Sequence, residues 1–190
     1  HAHGALSIKQ AIQSGVHSIE HASLIDEEGI QMAKEYGVAL SMDIYNGDYI
    51  NEYGIIEGWP EEFLRKNRET TDIQRENFSK AHKSGVKIVY GTDAGVYPHG
   101  NNAKQFKYMI KYGMTNIEAI QSATIHAAEV IGMLDQVGQI KKGFFADLIA
   151  VKENPMLNIQ VLENIDVVIK GGRLYKGKVE GWNMSLHSLY

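Results

Sequence analysis

The sequence predicts an α/β fold built on a parallel sheet, and two features carry that prediction. Segments suited to helix and to strand alternate from the first residues, and after Gly132 the alternation gives way to short, turn-rich β segments. Strands that alternate with helices at this spacing imply βα units with parallel strands. The composition permits such a fold. The chain has 190 residues, 44% of them hydrophobic and 22% charged, enough for one sizeable core.

The elements follow in order. Residues 7–14 can form a helix, with Ser7 as its N-cap and Gly15 ending it. Residues 16–19 are a short β-type run leading into Glu20-His21. Residues 26–36 read as a second helix between an Asp26 cap and a Gly37 stop, and residues 38–42 as the next strand. Residues 46–60 are rich in Gly, Asn and Tyr without a period, and read as a long loop of the kind that is usually functional. Residues 61–84 have helical spacing with charged faces, Gly85 stops them, and residues 86–91 are a strand. After a loop over 92–102, two helices are expected at 103–112 and 116–131. The runs 147–151 and 167–170 look like strands of a separate small β unit. The expected division is therefore 1–132, 133–178 and a tail, 179–190, without a period and open to being non-native.

Composition narrows the function classes. A net charge of −4 gives no electrostatic footprint for nucleic acid or an anionic membrane. No apolar run approaches the roughly 20 residues that span a bilayer. The chain has no cysteine, so any metal must be held by His and carboxylates, a set that suits Zn, Mn, Co or Fe. The opening His1-Ala2-His3-Gly4 lacks a Met and reads as the interior of a longer chain. A cytoplasmic location is the default.

Three strings carry chemistry: His1-Ala2-His3-Gly4, Ile19-Glu20-His21-Ala22 and Gly91-Thr92-Asp93-Ala94-Gly95. The last two follow strand segments, and the first would if a strand preceded it. Strand ends of a parallel βα array share one face, where active sites form. Imidazole and carboxylate at neighbouring strand ends can converge on a cation. Taken singly, each has a plainer explanation: a hydrogen-bonded loop histidine, or turn chemistry for the aspartate.

The order of these strings resembles the amidohydrolase superfamily, and more narrowly its Xaa-Pro dipeptidase, Zn-dependent carboxypeptidase and imidazolonepropionase-like branch. The resemblance continues through Pro98-His99-Gly100-Asn101, Gly113-Met114-Thr115, the Glu118–Thr124 stretch and the Gly143–Ala150 stretch, and reaches about Gly177. Ser41-Met42-Asp43-Ile44-Tyr45 and the 103–109 stretch look closest to the Zn-dependent arginine carboxypeptidase type. The resemblance implies a (β/α)8 barrel with a small β-sandwich, of which this chain supplies strands five to eight and part of the sandwich. It implies two divalent metals, Zn first, at the barrel mouth, held in part by a His-x-His pair and a carboxylated lysine upstream of His1. Within this chain it implies His1, His21 and Asp93 as metal ligands. Such cations lower the pKa of a shared water and polarise the scissile carbonyl. Asp93 would take the water's proton and pass it to the leaving amine. His3 and His99 are candidates for holding a substrate carboxylate.

The implied activity is hydrolysis of an amide bond in a small peptide or N-acyl amino acid. Asp43, at a strand end, is a candidate for pairing with a basic side chain of an Xaa-Arg or Xaa-Lys substrate; a hydrogen-bonded loop anchor is the other reading. Cyclic amide hydrolysis of the imidazolonepropionase kind is the alternative, and a catalytically inactive interaction module is the alternative for the chain by itself. A homo-oligomer is left open. His17 and His126 read as structural and His82 as solvated. Asp48 and Tyr49 fall in the expected long loop, Tyr45 at its start, and all three could line a pocket. Glu20, expected by alternation to point away from His21, is set aside.

Overall fold

In the computed structural model residues 1–179 are described, and the expectation for the tail from residue 180 onward lies outside them. Four strands form a parallel sheet in sequence order: β1 (Ala2–Gly4), β2 (Ser18–Leu24), β3 (Ala39–Ser41) and β4 (Ile88–Val89). Helix α1 (Ala5–Gln13) connects β1 to β2, and α2 (Glu27–Tyr36) connects β2 to β3. The connection from β3 to β4 holds two helices, α3 (Asn46–Tyr53) and α4 (Glu61–Lys83). The parallel βα order expected from the alternation is therefore the order found.

Local chemistry explains most boundaries. Asp26 caps α2 by accepting a 2.8 Å hydrogen bond from the Gly29 amide, and Gly37 ends it in the left-handed region at φ 68°. Ile8, Ile12, Ile30, Ala33, Phe78 and Ala81 project from α1, α2 and α4 onto Ile19, Leu40 and Ile88 of the sheet, and all are buried. The other face of β2 carries Ser18 and Glu20, half-buried and hydrogen-bonded to each other at 2.9 Å. The sheet thus has one apolar face, against the helices, and one polar face.

The structure departs from the sequence reading in four places. Helix α1 starts at Ala5 behind Gly4, so Ser7 lies inside it and donates to the Gly4 carbonyl instead of capping. Strand β2 runs on to Leu24, which places His21 within the strand. The expected loop at 46–60 contains α3, whose Asn46 and Gly47 are buried, Gly47 against Thr71 of α4. The single helix expected at 116–131 is two, α6 (Asn116–Ser122) and α7 (Ile125–Val130), after α5 (Lys104–Lys111). Thr124, at φ −126° and ψ −91°, leaves helical geometry and turns the chain between them.

Beyond α7 a second, antiparallel sheet forms from β5 (Leu148–Ala150), β6 (Val167–Lys170) and β7 (Arg173–Lys176). Gly171 and Gly172 join β6 to β7 with φ 55° and 77°, the positive pair that a two-residue hairpin of right-handed twist requires. A 3-10 turn at Ile159–Glu163 sends Ile159 and Leu162 into the main core beside α5.

Candidate metal centre at the strand ends

Beyond β3 and β4 the chain places Asp43 and Asp93 level with His21 of β2 and with His1, which precedes β1. The first histidine therefore stands ahead of an edge strand that begins at Ala2, with Ala2 paired to His21. His1 Nδ1 and His21 Nε2 are 3.0 Å apart. His21 Nδ1 donates to Asp43 Oδ1 at 3.1 Å. The His3 ring stacks on His21 at 4.4 Å, inclined 14°, and its Nδ1 meets Ser23 Oγ at 2.9 Å. One ligand atom each from His21, Asp43 and Asp93 lies within 4.8 Å of the others. A cleft of about 320 Å³ opens over these groups, lined by His1, Glu20, His21, Asp43, Thr92 and Asp93 among others. A larger surface groove of about 670 Å³, near Leu134 and Phe144, is remote from this cluster.

The backbone is strained where the site is built. Among the described residues, the non-glycine residues at positive φ are His21 (71°), Ala22 (46°) and Asp93 (51°). Such values are rare outside glycine and collect at functional positions. At β2 they break strand alternation, which is why Glu20 and His21 both reach the cleft and why alternation misplaced Glu20. At Gly91 a side chain would overlap Ser41 of β3, so glycine there lets β4 run close to β3 before Asp93.

Carboxamides on α3 and α4 brace this strain. Gln74 Nε2 donates to the His21 carbonyl at 3.2 Å and to Asp43 Oδ1 at 3.0 Å, and Asn77 Nδ2 donates to the Ser23 carbonyl at 3.1 Å. Asn46 Nδ2 lies 3.1 Å from both Asp43 Oδ2 and Asp93 Oδ2. None of these three was singled out from sequence. A usable signal existed for Gln74 and Asn77: they share the helical stripe of Phe78 and Ala81 on α4, so polar groups were heading into the core.

Electrostatics separate the two carboxylates. For Asp43, burial opposes ionisation, but hydrogen bonds from His21 and Asn46 outweigh it and hold the carboxyl below its ordinary pKa. The hydrogen bond to Asp43 raises His21 against the effect of burial. Asp93, although an exposed residue, is raised above its ordinary value by the partial desolvation of its carboxyl and then by the neighbouring Asp43 charge. Burial and the nearby His21 lower His3.

The remaining sequence candidates divide. Asp43 is 7% exposed, with both oxygens engaged by His21, Gln74 and Asn46; this is the hydrogen-bonded anchor of the two readings and leaves little of it for a substrate's basic group. His99 is exposed on the loop after Asp93 and is not part of the cleft lining. His126 is half-buried, 3.3 Å from the Ile88 carbonyl. His17 is exposed at the opposite end of β2. His82, read as solvated, instead faces Glu118 at 3.4 Å on largely covered surface. Tyr45 and Tyr49 pack with Tyr97 in a buried aromatic cluster, and Asp48 pairs with the buried Arg75 at 2.6 Å.

The donor set fits a divalent cation. With Asp43 accepting from Nδ1, the neutral His21 ring turns its Nε2 lone pair toward His1 and the cleft. The 3.0 Å between the two imidazole nitrogens is near the roughly 3.3 Å expected of two ligands bonded at about 2.05 Å to one tetrahedral ion.

Fold and site together define an α/β protein with a His/Asp centre at the ends of parallel strands, and the profile of the Amidohydrolase family matches residues 1–175. The chain belongs to that family, whose members are hydrolytic and typically metal-dependent. Among individual proteins it is similar to a crystallised Xaa-Pro dipeptidase with bound methionine in the active site, at 46% identity and a TM-score of 0.88, covering 93% of this chain and 44% of that one. It is 34% identical to the ochratoxinase of Aspergillus niger over 93% of this chain and 37% of the relative. It is 25% identical to an imidazolonepropionase of Psychromonas ingrahamii over 73% of this chain and 30% of the relative. The chain thus spans less than half the length of these relatives.

Proposed function

We propose that this chain forms strands five to eight of a (β/α)8 metal-dependent hydrolase barrel, with residues 133–178 adding part of a small β-sandwich. In this reading the protein cleaves an amide bond next to a free carboxylate, in a dipeptide or N-acyl amino acid. The observation that carries the reading is that His1, His21 and Asp93 line one cleft, with His21, Ala22 and Asp93 as the non-glycine residues at positive φ among the described residues. The similarity to a dipeptidase with methionine in its active site supports the substrate class.

His1, His21 and Asp93 would hold divalent metal, zinc first and Mn, Co or Fe compatible with the same donors. Such metal supplies a coordinated water acidic enough to ionise near neutral pH and a positive charge beside the scissile carbonyl. Asp43 fixes the His21 ring through Nδ1. Asp93, beside the attacking water, would accept its proton and return it to the leaving amine. His3, hydrogen-bonded to Ser23 and stacked on His21 but not itself part of the cleft lining, would donate to the substrate carboxylate. Both Asp43 oxygens are engaged within the protein, so a preference for a basic side chain is not built on it.

The test uses the full-length protein. Metal content is measured, and turnover is followed on Xaa-Pro, Xaa-Arg and Xaa-Leu dipeptides, an N-acyl amino acid, ochratoxin and imidazolonepropionate. Hydrolysis of at least one linear amide is expected, lost in His21→Ala and Asp93→Ala. Either variant turning over at the wild-type rate removes the site assignment. The imidazolonepropionase relative motivates a second reading, a cyclic amide substrate, and exclusive turnover of imidazolonepropionate would establish it.

A further inference from the structure

Asn46 opens α3, a helix that the sequence reads as loop, and its side chain ends between two carboxylates. Its single NH2 group lies 3.1 Å from Asp43 Oδ2 and 3.1 Å from Asp93 Oδ2, one hydrogen for each. Its own Oδ1 is buried and has no hydrogen-bond partner in the structure. Turning the amide over would set that oxygen against both carboxylates, so the orientation is held even though an acceptor is left unpaired. A neutral donor is also the group suited to this place. A lysine would compete with a cation for both carboxylates, and a third acid would add repulsion.

We propose that Asn46 is a positioning residue for the hydrolytic centre: its carboxamide ties Asp93 to Asp43, and so to His21, and sets the direction in which the Asp93 carboxylate faces the cleft. The inference rests on the hydrolase reading given above. The tie makes one unit of groups from three strand ends. His21 leans on Asp43, Asp43 on Asn46 and Gln74, and Asp93 on Asn46. Helix α3 carries the amide and is held at several points, Arg75 and Tyr108 among them through Asp48. Asn67 of α4 donates to the Gly47 carbonyl at 2.9 Å and to Asn51 Oδ1 at 2.9 Å, fastening α3 beside the site without touching either carboxylate.

The experiment compares Asn46→Ala, the near-isosteric Asn46→Asp and Asn67→Ala with wild type and Asp93→Ala in the full-length protein. Zinc affinity by chelator competition, kcat and KM on the best dipeptide, and Tm are measured for each. Removing a group that orients metal ligands typically lowers metal affinity or activity by about 10–100-fold. A loss of that size in zinc affinity and kcat is expected for both Asn46 variants, with KM within about threefold. Asn67→Ala is expected to lower Tm while keeping kcat and zinc affinity near wild type. Asn46→Asp keeps the volume and Asn46→Ala adds no charge beside the two carboxylates, so either variant reports if the other does not fold. Asn46 variants with wild-type kcat and zinc affinity overturn the proposal while leaving the site assignment standing. An equal kcat loss in Asn67→Ala also overturns it, because the effect would then belong to helix placement. If wild type binds no zinc and matches Asp93→Ala, the hydrolase reading fails and the inference fails with it.

Discussion

At the scale of single residues, His21 and Asp43 couple charge to stability. Their side chains are 13% and 10% exposed, so water screens the pair only partly. The hydrogen bond to Asp43 raises His21, so its contribution is complete below the ordinary value of 6.5 and is lost as pH rises through the folded value. Asp43 is lowered, so its contribution is complete above the ordinary value of 3.8 and is lost as pH falls through the folded value. In metal-stripped protein the pair should therefore stabilise most between about pH 4 and pH 6.5. Asp43→Asn should cost about 1.5–3 kcal/mol there, the usual range for a hydrogen bond to a charged group. Thermal melts of wild type and variant from acid to alkaline pH would show a difference that peaks in that window and shrinks on both sides. A difference independent of pH would mean that Asp43 acts through shape and neutral hydrogen bonding instead.

At the scale of elements, α3 shows both what the site needs and what the sequence conceals. Gly47 packs so closely on α4 that a side chain there would overlap Thr71. Gly47→Ala should push α3 away from α4, carry Asn46 with it, and cost about 1–3 kcal/mol as core overpacking does. Thr71→Ala removes the obstructing hydroxyl and methyl, so the double variant should recover part of the lost Tm. Two purely additive losses in that double-mutant cycle would show that the two residues do not meet. The helix was missed from sequence because Gly, Asn and Tyr are poor helix formers. Tertiary partners hold it instead: Asn67 and Arg75 of α4, and Tyr108 through Asp48. The α2 and α4 boundaries, by contrast, were legible because local signals set them, an Asp26 cap and glycines at 37 and 85 with φ 68° and 80°. His1, His21 and Asp93 were picked out because they fall at the junctions of a repeating βα order, although His1 precedes β1 and His21 lies within β2. Asn46, Gln74 and Asn77 were not, since their roles depend on which neighbour a buried amide meets, and spacing along the chain does not record that.

At the scale of the whole molecule, the parallel sheet has two edges. Each of β1 and β4 pairs with one strand among the described residues, and unpaired edges are templates for further strands. The polar side of β2, with Glu20 lining the cleft and Ser18 hydrogen-bonded to it, would face inward in a closed barrel. If the half-barrel reading is right, the 190-residue chain produced alone should meet its missing neighbours in other copies of itself. Light scattering should then show an average mass that grows with concentration. Hydrolysis of the dipeptides cleaved by the full-length protein should be absent, and zinc should bind more weakly, because only part of the ligand set is present. Addition of the separately produced preceding segment should lower the mass to a defined complex and restore both zinc binding and turnover. A monomer of constant mass with full activity would show that four strands suffice and would remove the half-barrel reading. An inactive but stable monomer that ignores the preceding segment would leave the interaction module as the better account of this chain.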